Sequence, residues 1–158
     1  MTLNRRRRTL RSAQTPTIQR QKPLFPVLCV SPGMSRIEVV REAELHASDL
    51  TKGIRRDKAF DLKGIVVARS HVPRGVASGW HHHGERHLYG YLVAGRLRLE
   101  YGPGGALVAD VTRGDFFHIP LRLVHRDVNP SRDEEIVVVN VLAGEGATVI
   151  NVSGPDPS

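Results

Sequence analysis

The sequence predicts an all-β domain, a sandwich or barrel of short strands. Two observations carry this. After Gly64, β-branched or alternating segments recur roughly every 8–12 residues, each closed by Gly, Pro or Asn. Beyond residue 50, no stretch keeps the 3.6-residue apolar period of a packed helix. At 158 residues the chain fits one domain, and 40% hydrophobic with 25% charged residues is the composition of a folded protein.

Residues 1–33 read as a basic, disordered extension, and 34–158 as the folded domain. The first 22 residues hold Arg5, Arg6, Arg7, Arg8, Arg11, Arg20 and Lys22 with no acid, which accounts for the whole formal charge of +7. Beyond them, basic and acidic side chains balance, so the body is neutral and a nucleic-acid partner is not expected. No apolar core follows the arginines, which argues against an export signal, and no stretch approaches the roughly 18 apolar residues of a membrane span. Cys29 is the only cysteine and cannot form an internal disulfide, so a reducing, cytoplasmic setting is expected. A chain begun at Met34 would keep every residue of the chemistry below.

The elements follow in order. Ile37, Val39 and Val40 form a short β-like run, Glu42 to Leu50 fits a helical turn or two, and Gly53 to Leu62 is charged and loop-like. Ile65 to Ala68 is a β-branched strand, and Tyr89 to Val93 is another that ends at Gly95. Arg96 to Tyr101 alternates polar and apolar residues, the pattern of a half-buried strand. Gly102-Pro103-Gly104-Gly105 turns the chain into Leu107 to Val111. Phe116 to Ile119 stops at Pro120, and Val124 to Val128 stops at Asn129-Pro130. Glu135 to Leu142 is the longest β-branched run, and Ala147 to Val152 closes the series. Spacing alone leaves an immunoglobulin-like sandwich and a jelly roll both open.

Four of the eight histidines, His81, His82, His83 and His87, fall within seven residues. Neutral imidazole is a common ligand for Fe, Ni, Cu and Zn. On a strand, side chains alternate faces, so His81 and His83 project together while His82 points away. His87, past a small turn at Gly84, is expected to rejoin the face of His81 and His83. His46 and His71 read as isolated surface or hydrogen-bonded histidines, and Trp80 as a packing residue on the face opposite His81.

These residues resemble the two motifs of the cupin superfamily. Gly75-x5-His81-x-His83-x3-His87, continuing to Gly95, is similar to the first, and Gly114-x5-Pro120-x4-His125-x3-Asn129 to the second. Ser78 to Glu85 resembles small single-domain bacterial cupins. The resemblance spans 75–95 and 114–129 and, with flanking strands, roughly 60–152. It implies a double-stranded β-helix, or jelly-roll barrel, and a mononuclear site of His81, His83, His87 and His125. It also implies a homodimer. His87 stands where the family has a glutamate ligand; because the motif is one residue long before Gly95, Leu88 is the alternative register. Arg122 replaces a glycine two residues after Pro120, so a different local turn is expected there.

An all-histidine set carries no ligand charge and suits a divalent Fe, Ni, Cu or Zn ion, with Glu85 a further carboxylate within reach. Tyr89, Tyr91 and His118 are expected to line the barrel cavity. Release of the ion is expected as pH falls through the histidine range. Three functions fit: a dioxygenase-like or isomerase-like enzyme acting on a small organic molecule, a non-catalytic small-molecule sensor, and a structural zinc protein.

Overall fold

A computed structural model describes residues 36–156. The basic extension at 1–33 and Cys29 lie outside the described residues. The strands are β1 (His46–Ala47), β2 (Arg55–Leu62), β3 (Ile65–Val72), β4 (His81–His82), β5 (Arg86–Ala94), β6 (Arg96–Tyr101), β7 (Leu107–Thr112), β8 (Phe116–Ile119), β9 (His125–Val128), β10 (Ile136–Gly144) and β11 (Ile150–Asn151). The described residues contain no α-helix, only single 3-10 turns at Glu42–Glu44 and Pro103–Gly105. No helix among them is long and apolar enough to cross a membrane.

Two antiparallel sheets face each other. One has six strands in the order β1-β2-β3-β10-β5-β8, the other five in the order β11-β4-β9-β6-β7. From β3 to β11 the chain passes back and forth between the sheets, staying in one sheet only for the β6–β7 hairpin. Alternation along each strand turns one face inward. Val66 and Val72 of β3, Leu88 and Leu92 of β5, Leu97 and Leu99 of β6, and Ile136, Val138 and Leu142 of β10 make the core. Leu92 and Ile136 are wholly excluded from water, and burying each stabilises the fold by roughly 1.5–3 kcal/mol. The tight turn from β5 to β6 requires Gly95: its φ is 83°, and a Cβ there would stand 2.8 Å from the Glu135 carbonyl oxygen.

Three expectations need correction. The stretch expected as a loop at 53–62 contains β2, paired along its length with β3. Its inward residue is the charged Arg56, and a bulge between Lys58 and Phe60 breaks its alternation, so no apolar period marks it. Ile37 to Val40 forms no strand. The helical turns expected at 42–50 reduce to one 3-10 turn followed by β1. The turn at Arg122, in contrast, survives the loss of its glycine. Arg122 has φ 57°, the one positive φ outside glycine among the described residues, and its N–H donates to the Gly84 carbonyl at 3.0 Å.

Candidate metal centre

Inside the barrel, His81, His83 and His125 come together. β4 pairs with β9 so that His81 lies directly opposite His125 across the ladder. His83 follows β4 on the same face, which brings three rings within centroid distances of 4.4, 5.2 and 5.4 Å. Their ligating nitrogens all fall within 4.8 Å of one another. All three rings are buried, and His82 points away as alternation requires.

Each ring is held by its Nδ1–H. His81 donates to the Gly79 carbonyl at 3.0 Å, His83 to Thr148 at 2.7 Å and His125 to Leu123 at 2.9 Å. A carbonyl oxygen only accepts, so in each ring the proton sits on Nδ1 and the lone pair on Nε2. This is the outer hydrogen bonding that orients metal-binding imidazoles. His83 Nε2 is buried with no hydrogen-bond partner in the structure, a burden of about 1–3 kcal/mol that an ion would relieve. Desolvation lowers the pKa of all three histidines; for His81 and His83, with added repulsion from His125, it falls to about 3. The rings are thus held in the neutral form that binds metal. Three neutral imidazoles fit a divalent transition metal on donor chemistry and geometry alike.

His87 does not join them. The chain reverses at Gly84 and Glu85, where the Arg86 N–H donates to the His83 carbonyl at 3.0 Å, and β5 starts with Arg86 facing inward. Strict alternation then turns Leu88, Gly90 and Leu92 inward and His87, Tyr89 and Tyr91 outward. The register with Leu88 on the inner face is the one the fold adopts, and a leucine stands where the motif supplies a carboxylate. Glu85 is exposed and forms an ion pair with Arg122, away from the centre. Tyr89 and Tyr91 line a shallow pocket on the outer face, together with Phe116 and His118, instead of the barrel interior. His118 also borders an interior cavity.

Two compartments of that interior bear on the site. A polar chamber of about 20 Å³ is bounded by His81, His83, Arg56, Ser70, Asp127, Asn140 and Phe117. An apolar cavity of about 390 Å³, lined by Leu99, Tyr101, Val111, Ile119 and Leu123, reaches His125 and shares the Phe117 wall. Phe117 lies over Gly90, where any Cβ would strike its ring. Arg56 donates from Nη1 to Thr51 Oγ1 at 2.8 Å and from Nη2 to His81 Nε2 at 3.2 Å. Burial lowers the Arg56 pKa, opposed by the charges of Asp127 and Asp49. Arg56, Asp127 and Phe117 escaped the sequence reading: Arg56 sits in the stretch taken for a loop, and the inward parity of 125 and 127 on β9 was the one signal for Asp127.

No protein-family model matches the chain, and no curated protein does. Solved structures do match. The polyketide cyclase RemF from Streptomyces resistomycificus superposes with TM-score 0.60 at 21% identity, over 77% of this chain and 90% of that one. An uncharacterized conserved protein with a double-stranded β-helix domain from Klebsiella pneumoniae gives 0.58 at 21%, over 75% and 98%. An RmlC-like cupin from Shewanella frigidimarina gives 0.55 at 16%, over 70% and 93%. The fold is the cupin barrel. The expected jelly roll is therefore correct, and the three-histidine group lies within this cupin barrel, between its two sheets.

Proposed function

We propose that this cupin binds one divalent transition metal ion, Fe, Ni, Cu or Zn, through Nε2 of His81, His83 and His125, and acts on a small organic molecule lodged in the apolar cavity. The observation that carries this is the set of three buried Nε2 lone pairs, each aimed by an Nδ1–H donated to a main-chain carbonyl. When bound, such an ion supplies Lewis acidity or, as Fe(II), dioxygenase-like oxygen chemistry. The chain's own residues do the rest. The histidines orient the site, the apolar walls exclude water, and Asp127 places a carboxylate on the chamber wall.

With three protein ligands an ion keeps open positions, the arrangement of catalytic rather than structural zinc. A structural site would need a fourth protein ligand, and the described residues gather three. The sensor reading shares the same site and differs only in lacking turnover. We also read the chain as a homodimer, supported by the exposed aromatic face of Tyr89, Tyr91 and Phe116.

Elemental analysis of protein purified without a metal-affinity step tests the centre: close to one equivalent of Fe, Ni, Cu or Zn is expected, and none sinks the proposal. Oxygen uptake with a panel of diketones, catechols and thiols then separates enzyme from sensor. Sedimentation velocity tests the dimer.

A further inference from the structure

Arg56 and a metal ion compete for one pair of electrons. A guanidinium only donates, so its 3.2 Å contact with His81 Nε2 uses the single in-plane lone pair of that nitrogen. The Nδ1 proton of His81 is already committed to the Gly79 carbonyl, so the ring has no second acceptor to offer. Loading the centre through His81 therefore displaces Arg56 from its partner. What remains is a buried guanidinium beside a buried dication, with Thr51 Oγ1 as its retained hydrogen-bond acceptor, Asp127 as the one carboxylate on the chamber wall and the charge of Asp49 acting from outside it, which together fall one short of the three positive charges. The three imidazoles add no negative charge. Excess buried positive charge is unfavourable until an anion neutralises it. The planar fork of a guanidinium matches a carboxylate in particular.

We infer that the three histidines take a metal ion and the chamber beside them a small carboxylate, each raising the affinity for the other, with Arg56 as the residue that holds the carboxylate. This rests on the metal reading above and names its substrate class. With the ion held at the three histidines, the chamber's free space of about 20 Å³ is left to the anion and amounts to roughly one water-sized group, so the anionic head is small. The body of the molecule is apolar if Phe117, the wall that the chamber shares with the adjoining cavity of about 390 Å³, turns aside, because that cavity is lined chiefly by hydrocarbon. A small monocarboxylic acid with a hydrophobic tail satisfies both compartments. A cationic molecule satisfies neither.

Calorimetric titration of metal-free protein with Co(II), in formate or in chloride at equal ionic strength, tests this. In the wild type, formate is expected to tighten Co(II) binding about tenfold, within the range usual for coupled sites. Formate that complexes free Co(II) would weaken apparent binding, so the expected sign is not an artefact of solution chemistry. In Arg56→Met, Co(II) alone is expected to bind at least as tightly as to the wild type, and formate to change it less than twofold. Wild-type Co(II) binding that is indifferent to formate overturns the inference, as does an undiminished formate effect in Arg56→Met. Should that variant not fold, Arg56→Lys keeps the charge without the fork. A smaller formate effect than wild type then supports the inference, and an equal one overturns it. Failure of the wild type to bind Co(II) in either medium overturns the metal reading itself, and is distinguishable from these results.

Discussion

His87 Nδ1 stands 2.9 Å from His118 Nε2 on the outer face of the barrel, one residue before Leu88 turns into the core. The pair is exposed, and Tyr89 stacks on His118 with a centroid distance of 4.9 Å. The separation of His87 from the buried trio gives a direct comparison. His87→Ala is expected to leave metal stoichiometry and affinity within about twofold of wild type. Single alanine variants of His81, His83 and His125 should each weaken binding on the order of 100-fold or more, since even outer partners of ligands cost 10–100-fold. Equilibrium dialysis against Co(II) or Zn(II) checks both halves.

Acid should unfold the metal-free protein in a definite window. His81 and His83 have folded pKa values near 3, below the 6.5 of an unperturbed histidine. Below pH 6.5 the unfolded chain therefore binds protons that the folded chain refuses. Stability is complete above that pH, falls as pH drops through it, and levels off near pH 3. Each histidine contributes a slope of about 1.4 kcal/mol per pH unit. Urea midpoints measured from pH 7 to pH 4 should show the fall, and His83→Gln, which has no proton to gain, should shallow it by one such slope.

Arg122 holds a backbone conformation that glycine adopts without strain, at φ 57°. A left-handed residue with a Cβ costs roughly 1–2 kcal/mol. The exposed ion pair to Glu85 that would be lost contributes about 0–1 kcal/mol. Arg122→Gly is expected to raise stability by about 0.5–1 kcal/mol, and Arg122→Ala to give no gain. Thermal denaturation of the three proteins side by side decides it.

Asn129 has every hydrogen-bonding group engaged. Its Nδ2 donates to the Val72 carbonyl at 3.1 Å and to the Glu134 carbonyl at 2.9 Å, and its Oδ1 accepts from the Ser131 N–H at 3.0 Å. It ties the end of β3 to the loop between β9 and β10. Asn129→Ala strands three main-chain groups, so a loss of at least about 2 kcal/mol is expected. Metal affinity in the surviving folded fraction should be unchanged, because the residue does not touch the histidines.

The strands from Ile65 onward were legible because alternation and turn residues report burial directly. β2 was not, because a strand whose inward side chain is a guanidinium, and whose alternation is broken by a bulge, carries no apolar rhythm. The centre was legible at His81 and His83 from pleat geometry and at His125 from the resemblance. His87 was misplaced for a local reason. The reversal at Gly84 and Glu85 sets the phase of β5, and counting residues across a turn does not preserve phase. Arg56 and Phe117 belong to the shape of the interior, which forms only when segments distant in sequence meet.

The anchors of the three rings are main-chain oxygens at positions 79, 123 and 148, contributed by three separate turns or loops. Residue identity at those positions is therefore free to drift: any amino acid presents the same oxygen. What the centre inherits is a path of the chain rather than a set of supporting side chains, and only an insertion, a deletion or a proline that bends that path would loosen its grip.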